Sequence, residues 1–146
     1  MKLQRIDHVG SAVHDLEAAI SYHQQLYGAE VAHRETIDSD GVAEALLAVG
    51  PSFIQLLTPT RDDSPVAKFL QRNGEGVHHV GYGVADVDAT LQDLKGLGVR
   101  VVDDHPRPGS RGCTVAFLHP QQTMGVLVGL VEEPTLDGAA YSPPHS

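Results

Sequence analysis

Residues 8–31 read HVGSAVHDLEAAISYHQQLYGAEV, and residues 79–101 read HVGYGVADVDATLQDLKGLGVRV. His8, Val9, Gly10 and Val13 recur as His79, Val80, Gly81 and Val84, an offset of 71 positions. An Asp-led amphipathic segment follows each time, then a Gly, then a β-branched run. Shared identities in shared order favour a duplicated unit over chance agreement between two amphipathic segments.

Each copy opens on a period-2 strand. Val9, Ser11 and Val13 oppose His8, Gly10 and Ala12; Val80, Tyr82 and Val84 oppose His79, Gly81 and Gly83. The Val face suits packing against a helix. The His face carries only small neighbours, which leaves room beside each imidazole. Asp15 and Asp86 are of a type that caps helix N-termini. Leu16, Ala19, Ile20, His23 and Tyr27 form the apolar stripe of one helix, which stops at Gly28. Val87, Leu91 and Leu94 do so in the other, which stops by Gly96 and Gly98.

Further strands are expected near 30–37, 42–49, 52–58, 99–103, 113–118 and 126–131. The segment GVAEALLAVG suits a helix by its Ala and Leu content, but its shortness and its Gly boundaries predict a strand. A helix with Ser64 as cap, Pro65 at its first position and Gly74 beyond its end joins the halves. The expected organisation is one α+β domain over 1–134, with two βαβββ modules (4–59 and 76–134), a bridging helix over 60–75 and a loose tail over 135–146.

Composition narrows the function. The chain has 146 residues, a formal charge of −9, nine histidines and one cysteine, Cys113. The negative balance argues against nucleic acid, which is held by Lys and Arg. No run reaches the length of a membrane span, and no apolar leader opens the chain. A lone cysteine suits a reducing cytoplasm. The expected partner is a small molecule.

Most of the histidines, namely His14, His23, His33, His78, His105, His119 and His145, read as ordinary core or surface residues. His8 and His79 differ, because the repeat gives them equivalent places. A pseudo-twofold sheet could bring both imidazoles into one concavity, where they would suit a divalent transition ion. Gln55, on the face of Phe53 and Leu57, needs a partner there. It either hydrogen-bonds to backbone or supplies a third ligand through its amide oxygen. The equivalent position in the second module, within GVLVGLVE, is Gly129, a residue that weakens a strand.

The segments IDHVGSAV, HRE at 33–35, GVAEALL, QLLTP, DSPVAKFL, NGEGVHHVGY, PRPGSRG and AFLHP, ending in GVLVGLVE, occur in one order over about residues 4–132. In these the chain resembles methylmalonyl-CoA epimerases, within the vicinal oxygen chelate superfamily that also holds glyoxalase I and bleomycin-resistance proteins. The resemblance implies a cupped eight-stranded mixed sheet, a homodimer and a divalent metal (Co, Zn, Mn or similar). The metal ligands fall on His8, Gln55 and His79, and a catalytic base falls on Glu44. It also implies a fourth ligand, a Glu that serves as the opposite base, where this chain has Gly129. Glu132 is three residues further on, on the other strand face, so it does not simply replace that acid.

Epimerisation of a 2-alkylmalonyl thioester removes the proton between two carbonyls and returns it to the other face, which is most directly done by two proton carriers. Glu44 shares a strand face with Val42, Leu46 and Ala48, and burial there would raise its pKa. Without an acid at 129 the ligands are all neutral, the hold on the ion weakens, one substrate face lacks its proton carrier, and the cup is widened.

Three functions follow: an epimerase-type isomerase relying on Glu44; the same scaffold acting, with or without metal, as a cyclase or isomerase on a polyketide-like substrate; and a non-catalytic small-molecule binding protein. Arg61, Lys68, Arg72, Arg107 and Arg111 are the bases to examine for contacts to coenzyme A phosphates.

Overall fold

The computed structural model describes residues 2–136 and 139–140. Its chain forms two compact units. Among the described residues, one holds His8–His78; the other joins the residues up to Asp7 with those from His79 on.

The first unit is built from β1 (Arg5–Ala12), from His8 onward, with α1 (Leu16–Tyr27), β2 (Val31–Ile37), β3 (Val42–Val49), β4 (Ser52–Pro59) and α2 (Pro65–Asn73). Its strands lie in the order β2-β3-β4-β1, with β4 and β1 parallel and the other pairs antiparallel. The second unit contains β5 (Gly76–Gly83) from His79 onward, α3 (Val87–Gly96), β6 (Arg107–Pro108), β7 (Thr114–Leu118) and β8 (Leu127–Glu132). Here the order is β6-β7-β8-β5, with β8 and β5 parallel. The two orders are the same topology, so the βαβββ repeat expected from the sequence is the one observed.

Register carries the repeat down to single residues. Gly10 stands opposite Gln55 on β4, and Gly81 stands opposite Gly129 on β8. Gln55 and Gly129 therefore hold the same place in their modules.

Local chemistry fixes the helix ends as expected. The carboxylates of Asp15 and Asp86 accept from the N–H of Ala18 and Ala89, each at 3.0 Å, and the Ser64 hydroxyl accepts from Ala67 N–H at 3.1 Å. Each satisfies a donor that lacks an intrahelical partner. Leu16 and Ile20 of α1 pack with Ala45, Leu47 and Leu56, and Val13 joins them. On the opposite face, Val66 and Leu70 of α2 pack with Ala12, Val42 and Leu57. In the second unit Val87 and Leu91 of α3 pack with Val84, Ala116, Val128 and Leu130. Tyr27, assigned above to the buried stripe of α1, is 66% exposed. It sits in the last turn, where the helix runs past its core partners.

The segment GVAEALLAVG is indeed strand, as β3. The strand expected over 99–103 does not form. Val101 makes one isolated bridge to Leu118, and Val102 and Asp103 both donate to the carbonyl of Phe117. The Asp103 carboxylate takes the Phe117 N–H at 2.9 Å, a donor a pairing strand would have used. Pro106 and Pro108 have no N–H to offer, so pairing resumes only as the short β6. The tail expected over 135–146 falls largely outside the described residues. Within it Thr135–Leu136 pairs antiparallel with Ala139–Ala140. No helix among the described residues is long and apolar enough to cross a membrane.

Arg111 anchors the second unit. Its side chain is 3% exposed and its guanidinium meets the Asp7 carboxylate at 2.9 Å, while Arg5 meets the other Asp7 oxygen at 2.9 Å and Glu133 at 3.0 Å. Arg111 is therefore a structural cation and is not available to a phosphate. Removing one partner leaves a buried charge poorly compensated. Arg111→Ala is expected to lower unfolding stability by about 3 kcal/mol, read as a drop in urea midpoint. An unchanged midpoint would contradict the assignment. Arg5 also fills the space beside Gly83, where a Cβ would run into its guanidinium. The room expected at that end of the His face is thus taken. Burial pushes the Cys113 thiol up to about 11, helped by Asp7 and Glu133 and opposed by Arg111 and Arg5.

Candidate functional site

In the first unit one sheet face gathers the polar groups. Glu44 on β3 is 1% exposed and Gln55 on β4 is 6% exposed. Glu44 faces Leu57 across the β3–β4 pair and Leu46 faces Gln55, so the two polar side chains are diagonal neighbours on one face. The Gln55 amide Nε2 donates to Glu44 Oε2 at 3.4 Å. Val42 and Leu46, which alternate with Glu44 on this face, are buried apolar residues. The burial expected for Glu44 is therefore present, and an edge position in solvent is not.

The amide oxygen of Gln55 is buried and has no hydrogen-bond partner among the described residues. Such an acceptor costs about 1–3 kcal/mol when left unmet. The backbone partner left open above for Gln55 is not there. His8, half-buried, lies on the same face, since Gly10 opposes Gln55 and His8 opposes Phe53.

In the second unit His79 is 4% exposed. Its ring meets Phe117 edge-on, with centroids 5.4 Å apart at 86°. Phe117 also stands directly opposite Gly129 on the β7–β8 pair. A Cβ on Gly129 would lie 3.0 Å from Phe117 Cε1 and 3.4 Å from Cδ1. The space beside Gly129 is thus occupied by an aromatic ring, which corrects the expectation that glycine widens the cup there. Arg107 lies over the same ring, 5.5 Å from its centroid, and is paired with Asp103. Sequence reasoning missed Phe117. Its signal was the motif AFLHP, but the cross-strand register that seats it on Gly129 is not written in any local pattern.

Glu132 supplies nothing to this face: its carboxylate accepts the Val87 N–H at 2.9 Å, at the start of α3. Of the remaining bases, Arg61 is held by the Asp38 and Ser39 carbonyls and by Asp63. Lys68 and Arg72 are exposed, one turn apart on α2.

The bland reading suits several histidines. His23 Nδ1 bonds to the Ala19 carbonyl, His119 caps a short turn by accepting from Gln121 N–H, and His105 is exposed beside Asp104. His78 packs edge-on against Phe69, and burial lowers its pKa. His145 lies outside the described residues. His33 is a partly exposed partner of Glu35, with Nε2 2.8 Å from Glu35 Oε1.

Comparison with known proteins agrees with this architecture. A family model described as the glyoxalase/bleomycin resistance protein/dioxygenase superfamily matches residues 7–117. The mitochondrial methylmalonyl-CoA epimerase of Mus musculus is 39% identical over 130 residues, 88% of this chain and 73% of that one. The ethylmalonyl-CoA/methylmalonyl-CoA epimerase of Cereibacter sphaeroides is 39% identical over 128 residues, 86% of this chain and 96% of that one. A solved structure of a variant Streptomyces coelicolor methylmalonyl-CoA epimerase, in complex with 2-nitronate-propionyl-CoA, is 48% identical with a TM-score of 0.88, covering 90% of this chain and 98% of that one. The chain therefore belongs to the glyoxalase/bleomycin resistance protein/dioxygenase superfamily and, within it, to the methylmalonyl-CoA epimerase family.

Proposed function

We propose that this protein is an epimerase-type enzyme that moves the C2 proton of a 2-alkylmalonyl thioester, with Glu44 as its proton carrier, and that it works as a homodimer. The observation that carries the reading is the Glu44 carboxylate, 1% exposed on an otherwise apolar face and held by the Gln55 amide. A buried carboxylate with one oriented donor is suited to take a proton from carbon, because little solvent reorganisation accompanies its change of charge. The acyl-CoA analogue bound by the Streptomyces coelicolor relative supports a thioester as substrate.

His8, Gln55 and His79 are the residues proposed to hold a divalent ion. The test of fit is Gln55, whose buried amide oxygen has no hydrogen-bond partner among the described residues. Imidazole and amide oxygen are suitable donors for a borderline divalent ion. Among the described residues no group of three His, Cys, Asp or Glu side chains suits a metal, so an amide would have to complete the set. Such an ion supplies Lewis-acid stabilisation of the charge that develops on the substrate oxygens. The chain's own part is to accept the proton at a Glu44 carboxylate oxygen and to return it to the same substrate face. In the second unit the position where the family has an acid is Gly129, covered by Phe117. Inversion then relies on a proton from water.

The test uses one epimer of methylmalonyl-CoA in heavy water with added Co²⁺, and again with a chelator. Deuterium at C2 that needs both protein and metal is the expected result. No uptake with any divalent ion would end the proposal. Phe117 over Gly129 favours a second reading, in which the scaffold takes a polyketide-like substrate with an apolar group against that ring. Lack of bound metal in the purified protein, with tight binding of such a compound, would favour it.

A further inference from the structure

The chain is acidic, yet one helix of its first unit carries uncompensated positive charge. Most of the ten Lys and Arg residues are already engaged. Arg34 pairs with Glu17, Arg61 with Asp63, Lys95 with Asp104, Arg107 with Asp103, and both Arg5 and Arg111 with Asp7. Arg100 meets the Gln121 amide. Lys2 aside, Lys68 and Arg72 differ: both are exposed, and neither side chain has an ion pair or hydrogen bond among the described residues. Of the acids that flank α2, Asp63 is held by Arg61 and Glu75 by the N–H of His14. The two cations stand i, i+4 on the helix, where like charges repel and weaken it. Arg72 in the last turn offsets the helix dipole; Lys68 beside it brings only repulsion. Their placement suggests what they are for. Val66 and Leu70 seat α2 on Val42 and Leu57, which share the sheet face of Glu44 and Gln55. The helix therefore walls that face, with Lys68 and Arg72 on its outer side. A coenzyme A thioester carries its phosphates at the far end of a long pantetheine arm, so cations that meet them belong outside the reacting face.

We infer that Lys68 and Arg72 hold the phosphates of coenzyme A, an inference that rests on the thioester substrate proposed above. Arg72 presents a planar fork suited to two phosphate oxygens, and Lys68 a point charge beside it. Arg61, Arg107 and Arg111 cannot compete, because acids already hold them. A formal charge of −9 gives the chain no general attraction for a polyanion, so the hold on the phosphates depends on this pair. Both cations are exposed, and salt therefore weakens their contribution.

The experiment compares methylmalonyl-CoA with methylmalonyl-N-acetylcysteamine, which keeps the thioester and lacks the phosphates, by deuterium uptake with Co²⁺. In Lys68→Ala/Arg72→Ala the ratio of kcat/KM for the two substrates is expected to shift about tenfold against the CoA substrate, through KM. Calorimetric titration with coenzyme A itself gives a readout independent of turnover. Binding should be about tenfold weaker in the double variant and less sensitive to salt, and Lys68→Arg should keep most of the wild-type affinity. An equal loss on both substrates overturns the assignment, because it marks a structural role. Coenzyme A bound as tightly by the double variant as by the wild type, or not bound by the wild type at all, overturns it too. Uptake absent from the wild type while coenzyme A binding still depends on the pair ends the epimerase reading and supports the phosphate site.

Discussion

Replacing Glu44 with glutamine is expected to lower deuterium uptake at C2 by about 10²–10⁴-fold, the range contributed by a positioned general base. The substitution is nearly isosteric, so the buried face should keep its shape. The amide introduced at this position can still turn its oxygen toward the Gln55 Nε2 that now bonds Glu44 at 3.4 Å. What disappears is only the ability to hold a proton. Unfolding stability should therefore change little, and KM should stay within a few-fold of the wild type. A folded variant that keeps its uptake would mean that the proton carrier lies elsewhere.

Gly129→Glu tests the other side of the reaction. A side chain there starts 3.0 Å from the Phe117 ring, closer than ordinary van der Waals contact, so the ring has to move by a few tenths of an ångström. That ring is in turn packed against His79 and under Arg107. Overfilling a packed site of this kind costs about 1–3 kcal/mol. The single variant should therefore be less stable, and the double variant with Phe117→Leu should recover part of that loss. If the restored carboxylate reaches the second substrate face, inversion relative to uptake rises about 100-fold in the double variant. No change in that ratio would show that Gly129 is not the position that limits inversion.

The features legible in the sequence were those fixed by local chemistry or by the repeat. The caps at Asp15, Ser64 and Asp86 need only the next turn of chain, and all three are observed. The equivalence of Gln55 and Gly129 follows from duplicated strand order, and register confirms it. The segment 99–103 misled because its valines promise a strand, while Asp103 uses its side chain where a strand would use backbone. Arg111 was one of the bases to examine for phosphate contacts. Its burial depends on Asp7, more than a hundred positions away, which no local window can show. The space beside Gly129 was misjudged for a similar reason, since the residue that fills it comes from the neighbouring strand.

One time course tests the whole account most directly. A single epimer of methylmalonyl-CoA is incubated in heavy water with the protein and Co²⁺, and label and configuration at C2 are read from the same samples. With Glu44 as the sole carrier and Phe117 over Gly129, deuterium should enter the unreacted epimer well before the opposite epimer accumulates. Inversion without label in the remaining substrate would mean that a second acid serves the far face, and would contradict the account.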